Sequence, residues 1–359
     1  MALTLGAVIF SGCTSRQDYR IKGVVAGAAD GDSVFMLRLE GRQYVPQDTA
    51  IVRQGQFEFQ GRQDSAVIQV VSYAKEETRF ATDFFLEPGT IRIHLDEESQ
   101  ATGTPNNDAY QAFKDRMNSI QAQEERLYAF LQQEEDETRR DSLTLAMSDL
   151  DTEVNEAIAG TIRAQADKTV GQYLLANYHY YLSYAEVDSL LSLLPARAMA
   201  NPSMQKLAQL VEKSRASEVG KPLVDFTLPD VDGTPTRLAD LVKANTYTIV
   251  DFWASWCGPC RRAMPSMLEF YAKYHDRGLG IVGVSLDSDA DNWKRAIAQH
   301  QLPWPQLSDL QGWESEAADL YAVRSIPFIV LVDAQGVILA RGLDEDALRA
   351  KLQELMPEK

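Results

Sequence analysis

Thr248-Ile249-Val250-Asp251-Phe252-Trp253-Ala254-Ser255-Trp256-Cys257-Gly258-Pro259-Cys260-Arg261-Arg262-Ala263-Met264-Pro265 is the stretch whose reading decides the fold. A β-branched and aromatic run leads into two cysteines three residues apart, and a helical pattern follows. Thiols so spaced at the start of a helix can close a disulfide across one turn. They also lie where unpaired backbone N–H groups and the helix dipole favour a thiolate. These are the requirements of thiol–disulfide exchange, in which one thiolate attacks a disulfide and a second resolves the mixed product. Cys257 precedes the helix and gains most from its field, so it reads as the attacking thiol. Cys260, one turn on, reads as the resolving thiol. The competing reading is a structural or metal-binding pair. Zinc would need two further ligands, and His94, His179, His275 and His300 are scattered without ligand spacing. No metal and no cofactor beyond the cysteine pair is expected.

Asp251 lies among Ile249, Val250, Phe252 and Trp253 and is expected to be buried. Burial raises a carboxyl pKa. A carboxylate titrating near neutrality could accept the proton of Cys260 and make it a competent nucleophile. The alternative is an Asp satisfied by nearby backbone or water.

The chain has 359 residues, enough for two or three domains, and its 45% hydrophobic content is enough to bury real cores. A net charge of −17 argues against nucleic acid or an anionic membrane surface as partner. Residues 217–359 hold 14 Lys+Arg against 21 Asp+Glu, a net of −7, and the remainder carries −10. The acidity is therefore spread along the chain and marks no site. With three cysteines, of which Cys257 and Cys260 form the pair, only Cys13 is left, and no disulfide framework is possible.

Val250 to Pro265 resembles the active-site segment of thioredoxin-like proteins. The likeness extends beyond the two cysteines to Trp256 directly before Cys257, Asp251 in the preceding strand and Pro265 in the following helix. Gly220-Lys221-Pro222-Leu223-Val224-Asp225-Phe226-Thr227-Leu228-Pro229-Asp230-Val231-Asp232-Gly233 is similar to the N-terminal hairpin of the exported, membrane-associated branch, the TlpA/ResA-like class, and to that of peroxiredoxins. A peroxiredoxin requires a Thr three residues before its reactive Cys. Ala254 stands there, so that reading is set aside.

The resemblance covers about 217–359 and implies a thioredoxin-like α/β sandwich. The pattern agrees: strands over Leu279 to Leu286, Phe328 to Val332 and Val337 to Ala340 alternate with helices over Asn292 to His300, Glu314 to Tyr321 and Asp344 to Leu355. The resemblance further implies that Pro327, in Ser325-Ile326-Pro327-Phe328, is a cis-proline facing the disulfide, with the backbone of Ile326 offered to an extended substrate. It assigns Gly258 and Pro259 to the active-site loop, while Trp256 shields one flank of the thiols. Pro265 is expected to kink its helix.

Upstream, residues 19–103 read as a small antiparallel β-sandwich or barrel domain. Strands are expected over Ile21 to Val25, Ser33 to Leu39, Gln56 to Phe59, Ala66 to Val71 and Thr90 to Leu95, with turns at Asp30-Gly31, Gln54-Gly55 and Pro88-Gly89. Phe84-Phe85-Leu86-Glu87-Pro88-Gly89-Thr90-Ile91 resembles a β-domain of unknown function that precedes thioredoxin-like domains in some exported lipoproteins. A spacer or docking module is the expectation there. Residues 106–216 are poor in Gly and Pro, and four or five helices are expected, one of them started by Asn201-Pro202. Glu124-Glu125 and Glu134-Glu135-Asp136 read as solvated helix faces. Tyr178, Tyr180, Tyr181 and Tyr184 around His179 read as core and interface packing, with a substrate surface as the alternative.

Residues 1–13 form a short apolar run ending in Phe10-Ser11-Gly12-Cys13, similar to the end of a bacterial lipoprotein signal segment. That resemblance implies lipidation of Cys13 and a membrane-anchored place in the cell envelope, facing the periplasm of a Gram-negative bacterium. No Lys or Arg precedes the run, and Phe10 stands where Leu is usual. The alternative is a buried strand with an inert thiol. Taken together, the expected activity is that of a thiol–disulfide oxidoreductase reducing protein disulfides, resupplied by an unidentified electron donor. The alternatives are an oxidase or isomerase using the same site, and a scaffold or binding lipoprotein whose redox domain is secondary.

Overall fold

The computed structural model describes residues 18–41 and 43–357. The chain divides between Met204 and Gln205 into two compact units, each with its own core.

The first unit opens with β1 (Asp18–Val25), β2 (Ser33–Glu40), β3 (Gln43–Ile51), β4 (Gln56–Arg62), β5 (Val67–Lys75), β6 (Thr78–Leu86), β7 (Gly89–Leu95) and β8 (Gln100–Thr102). They form two four-stranded sheets, ordered β4-β1-β7-β8 and β3-β2-β5-β6. Alternating apolar residues fill the space between them, and Ile21, Val34, Val71, Ile91 and Leu95 are fully buried. Pairing is antiparallel except for β1 with β7, which run parallel. The sequence reading misses β3 because the strand is mostly exposed, polar and carries Pro46. All three properties fit an edge strand, which β3 is; its register with β2 also shifts between Met36 and Leu37.

Helices α1 (Pro105–Gln133), α2 (Glu137–Ala164), α3 (Thr169–Tyr178) and α4 (Tyr184–Leu193) complete the unit, and α5 (Pro202–Ala216) crosses its boundary. Asn201 starts α5 by accepting the Ser203 N–H at 2.9 Å. The Phe84-to-Ile91 motif is the joint between sheet and helices. Asn107, in the first turn of α1, accepts the Phe85 N–H at 2.8 Å and donates to the Phe85 carbonyl at 2.7 Å. Its carboxamide thus pairs with edge strand β6 as a neighbouring strand would. Buried Glu87 accepts the Asn106 N–H at 3.0 Å, and Asn106 Oδ1 accepts the Val170 N–H of α3 at 2.9 Å. Of the tyrosine cluster, Tyr178 packs edge-on to Phe113 at 5.1 Å, whereas Tyr180 and Tyr181 are exposed. Packing therefore accounts for only part of that cluster.

The second unit begins within α5. Arg341 donates to the Ser214 carbonyl at 3.0 Å and to the Tyr321 carbonyl at 2.7 Å, fixing the end of α5 onto this unit. A hairpin of β9 (Thr227–Pro229) and β10 (Pro235–Arg237) follows, turning at Asp232-Gly233, where Gly233 has φ +84°. Next come α6 (Leu238–Lys243), β11 (Tyr247–Trp253), α7 (Gly258–Tyr274), β12 (Leu279–Ser285), α8 (Ala290–His300), β13 (Gln306–Leu307), α9 (Glu316–Leu320), β14 (Phe328–Asp333), β15 (Ile338–Arg341) and α10 (Glu345–Leu355). The five-stranded sheet is ordered β13-β12-β11-β14-β15. Its central strands β11 and β12 run parallel, and β14 and β15 close it antiparallel. Strands buried on both faces read as continuous apolar runs, and Leu279–Ser285 is buried at every position. The helix expected over Glu314 to Tyr321 is shorter: Gly312–Glu314 is a separate 3-10 turn, and α9 starts after Ser315. Ser315, between the two, has ψ 131°, outside the helical range, and breaks the run.

Candidate active site

The cysteine pair sits where central strand β11 hands over to α7. Trp253 ends the strand, its carbonyl accepting the Leu286 N–H at 2.8 Å, and Ala254 turns the chain by accepting the Cys257 N–H at 3.1 Å. Cys257 is then the N-cap of α7, with Gly258 and Pro259 in the first helical turn, where a missing N–H costs nothing. Cys257 and Cys260 are joined by a disulfide, their Cα atoms 5.3 Å apart.

Cys257 Sγ accepts the backbone N–H of Cys260 at 3.1 Å, so a helix donor points at this sulfur. The carbonyl oxygen of Ile326 lies 3.7 Å from the same sulfur, and the Ile326–Pro327 peptide is cis. Loop and cis-proline segment thus meet at Cys257, with Pro327 exposed and Ile326 half-buried beside it. In the disulfide both cysteines are buried, Cys257 5% exposed and Cys260 3%. Exposure hardly separates them; the helix N–H does.

Asp251 occupies the middle of β11, paired with Gly283 of β12 and Ile329 of β14. Part of the residue reaches solvent, yet protein packs densely round the carboxyl, and that packing governs its charge because a carboxylate needs room for its waters. Desolvation alone pushes its pKa up to about 7. Pro265 lies inside α7, where it can supply no N–H to the helix ladder. Arg261 and Arg262 are exposed, so solvent and salt screen them from the sulfurs. Phe328 packs edge-on to Phe252 at 6.2 Å, and the Arg341 guanidinium lies over its ring, 5.3 Å from the centroid.

Two features escape the sequence reading. The first is a buried polar network behind the loop. Asp287 accepts the Ser255 N–H at 2.9 Å, the Ser255 hydroxyl, and the Ser285 hydroxyl at 2.7 Å. Its signal is the pair of polar residues, Ser285 and Asp287, two apart at the end of an otherwise apolar strand. The second is Trp313, whose ring centroid lies 6.1 Å from that of Trp256. Cys13 lies outside the described residues. Among the described residues, no group of three or more His, Cys, Asp and Glu is placed to hold a metal.

Residues 219–341 match the AhpC/TSA family, and residues 19–110 match a domain of unknown function, DUF4369. The latter span ends inside α1, just beyond Asn107. The thiol-disulfide oxidoreductase ResA of Oceanobacillus iheyensis is 30% identical over 159 residues, covering 42% of this chain and 80% of the relative.

This chain belongs to the ResA-like thiol-disulfide oxidoreductases.

The ResA of Bacillus cereus ATCC 10987 is also 30% identical, over 127 residues, covering 35% of this chain and 70% of its own. Among solved structures, a thiol-disulfide oxidoreductase from Bacteroides fragilis is 34% identical and is covered completely, over 38% of this chain, with a TM-score of 0.36. Like these ResA-like relatives, the chain is a thiol–disulfide oxidoreductase, and Cys257 and Cys260 lie within the residues 219–341 that match the AhpC/TSA family.

Proposed function

We propose that the chain reduces disulfides of proteins outside the cytosol through the Cys257-Gly258-Pro259-Cys260 dithiol. The Cys257 thiolate attacks a substrate disulfide, bonding to one sulfur and releasing the other as a thiolate. Cys260 loses its proton to Asp251 and attacks Cys257 Sγ. This closes the internal disulfide and frees the second substrate thiol, so two electrons pass to the substrate. A thiol-bearing electron donor must then restore the dithiol. The observation that carries this reading is the Cys260 N–H aimed at Cys257 Sγ, because a donor at the sulfur stabilises the attacking thiolate.

The direction follows from how strongly that thiolate is stabilised, since greater stabilisation makes the disulfide more oxidising. One helix terminus favours it. Between the cysteines stand only Gly258 and Pro259, with no Lys or His to add charge, and the nearby arginines are exposed. The expected result of a glutathione redox titration is a potential nearer the about −270 mV of thioredoxin than the about −120 mV of a strong oxidant. Acid-trapped, alkylated protein from its native compartment is expected to be mainly reduced. A mainly oxidised pair with a high potential would reverse the assignment to oxidase or isomerase.

The extracytosolic setting rests on Phe10-Ser11-Gly12-Cys13, which supports a lipid on Cys13 and attachment to a membrane. Among the described residues, no helix is long and apolar enough to cross one. Cys13→Ala, expressed in a bacterial host with a complete signal sequence, is expected to move the protein from the membrane to the soluble fraction. An unchanged fraction, or a mature N-terminus elsewhere, counts against the anchor.

A further inference from the structure

The sequence contains five tryptophans. Trp253, Trp293 and Trp304 are 1%, 2% and 4% exposed, whereas Trp256 is 53% exposed and Trp313 50%. The two indoles left at the surface are the two that meet, their centroids 6.1 Å apart and their planes inclined by 54°. Trp256 adjoins the reactive Cys257 in the chain.

Both are mounted on one buried support. Fully buried Ser285, at the end of β12, donates its hydroxyl to Asp287, which holds the N–H and hydroxyl of Ser255, the residue before Trp256. The Ser285 carbonyl accepts the Ser308 hydroxyl at 2.9 Å, and Ser308 Oγ in turn accepts the Leu310 N–H at 3.1 Å. Ser308 opens the loop that carries Trp313. Asp309 tightens that loop by accepting the Gln311 and Glu316 N–H groups at 3.1 and 2.9 Å. A single serine thus fixes two loops distant in sequence, and each presents a tryptophan to solvent.

Exposed tryptophans on fixed supports are what a binding surface needs. Trp offers a large contact area, is enriched among the residues that dominate binding energy, and loses little entropy when its support is already ordered. We propose that Trp256 and Trp313 form one platform that takes an aromatic or large apolar side chain of the polypeptide whose disulfide is exchanged. The occupant follows from continuity with the redox site: whatever reaches Cys257 passes Trp256. This rests on the functional reading above, and it makes Trp313 a specificity-determining residue of that reaction.

The test uses the full chain in its oxidised form and cysteine-free decapeptides identical except for Phe or Ala at one central position, so that no exchange can occur. Calorimetry is expected to show the Phe peptide binding about tenfold tighter than the Ala peptide, the scale of one buried aromatic contact. In Trp313→Ala that ratio is expected to fall to within about twofold, and Trp313→Phe to recover part of it. A general loosening of the site would weaken both peptides alike and leave their ratio standing. The proposal is overturned if the wild type shows no preference, or if Trp313→Ala keeps it. Turnover is measured separately with disulfide-containing peptides. A protein that keeps the preference but reduces none of them refutes the reductase reading and leaves the platform standing.

Discussion

Cys257→Ser is expected to lose at least about a thousandfold in disulfide turnover, the scale on which removal of a nucleophile acts, and to trap no substrate. Cys260→Ser is expected to lose turnover comparably but to accumulate covalent adducts, because Cys257 can still attack while nothing resolves the product. The asymmetry comes from α7: the Cys260 N–H reaches Cys257 Sγ at 3.1 Å, and the Ile326 carbonyl brings the cis-proline segment to the same sulfur. Alkylation of the reduced protein at neutral pH, followed site by site by mass spectrometry, checks the order of reactivity. Faster modification of Cys260 would reverse the two roles. Adducts captured by Cys260→Ser identify the substrates directly.

The second large effect is at Asp251. Its folded pKa is raised to about 7, while the unfolded chain releases that proton near 4. Between those values the folded state holds a proton that the unfolded state has lost, so stability declines as pH rises from about 4 to about 7 and then levels off. A shift of about three units would cost about 4 kcal/mol at alkaline pH, and the residue's partial contact with solvent reduces this to roughly 2–4 kcal/mol. Asp251→Asn is therefore expected to be more stable than wild type at pH 8, little changed at pH 4, and free of the slope between. Denaturant unfolding of the oxidised protein, followed by tryptophan fluorescence from pH 4 to 9, measures it. The same variant is expected to resolve mixed disulfides about 10–100-fold more slowly near pH 7, having lost the base for Cys260. A slope that persists in the variant would place its source elsewhere.

What the sequence disclosed of the site is what lies in one short segment or one marked position. The cysteine pair, Asp251 in its apolar strand and Pro327 before a core strand are each local patterns. Ser285, Asp287 and Trp313 are not. Asp287 reaches Ser255 across 32 positions, and the pairing exists only because β12 lies beside β11. Trp313 stands just before the helix expected over Glu314 to Tyr321, and nothing near it in sequence shows that its ring meets that of Trp256. The β-domain behaved similarly. Strands with alternating burial, such as β1 and β4, were legible, whereas β3 was hidden by Pro46 and its exposed polar residues. The pairing of β1 with β7 was hidden too, since alternation reveals a face and not a neighbour's direction.

Asn107 bears on where the first domain ends. Edge strand β6 has its outer side closed at Phe85 by a helix side chain, whose amide imitates the peptide group of an absent ninth strand. The helix is thereby the selvedge of the sheet, the woven margin that keeps a cloth from fraying. A fragment trimmed at the last strand would leave that margin raw, with an N–H and a carbonyl free to recruit a neighbour's strand. The smallest self-contained version of this domain must carry the opening turn of its helix with it.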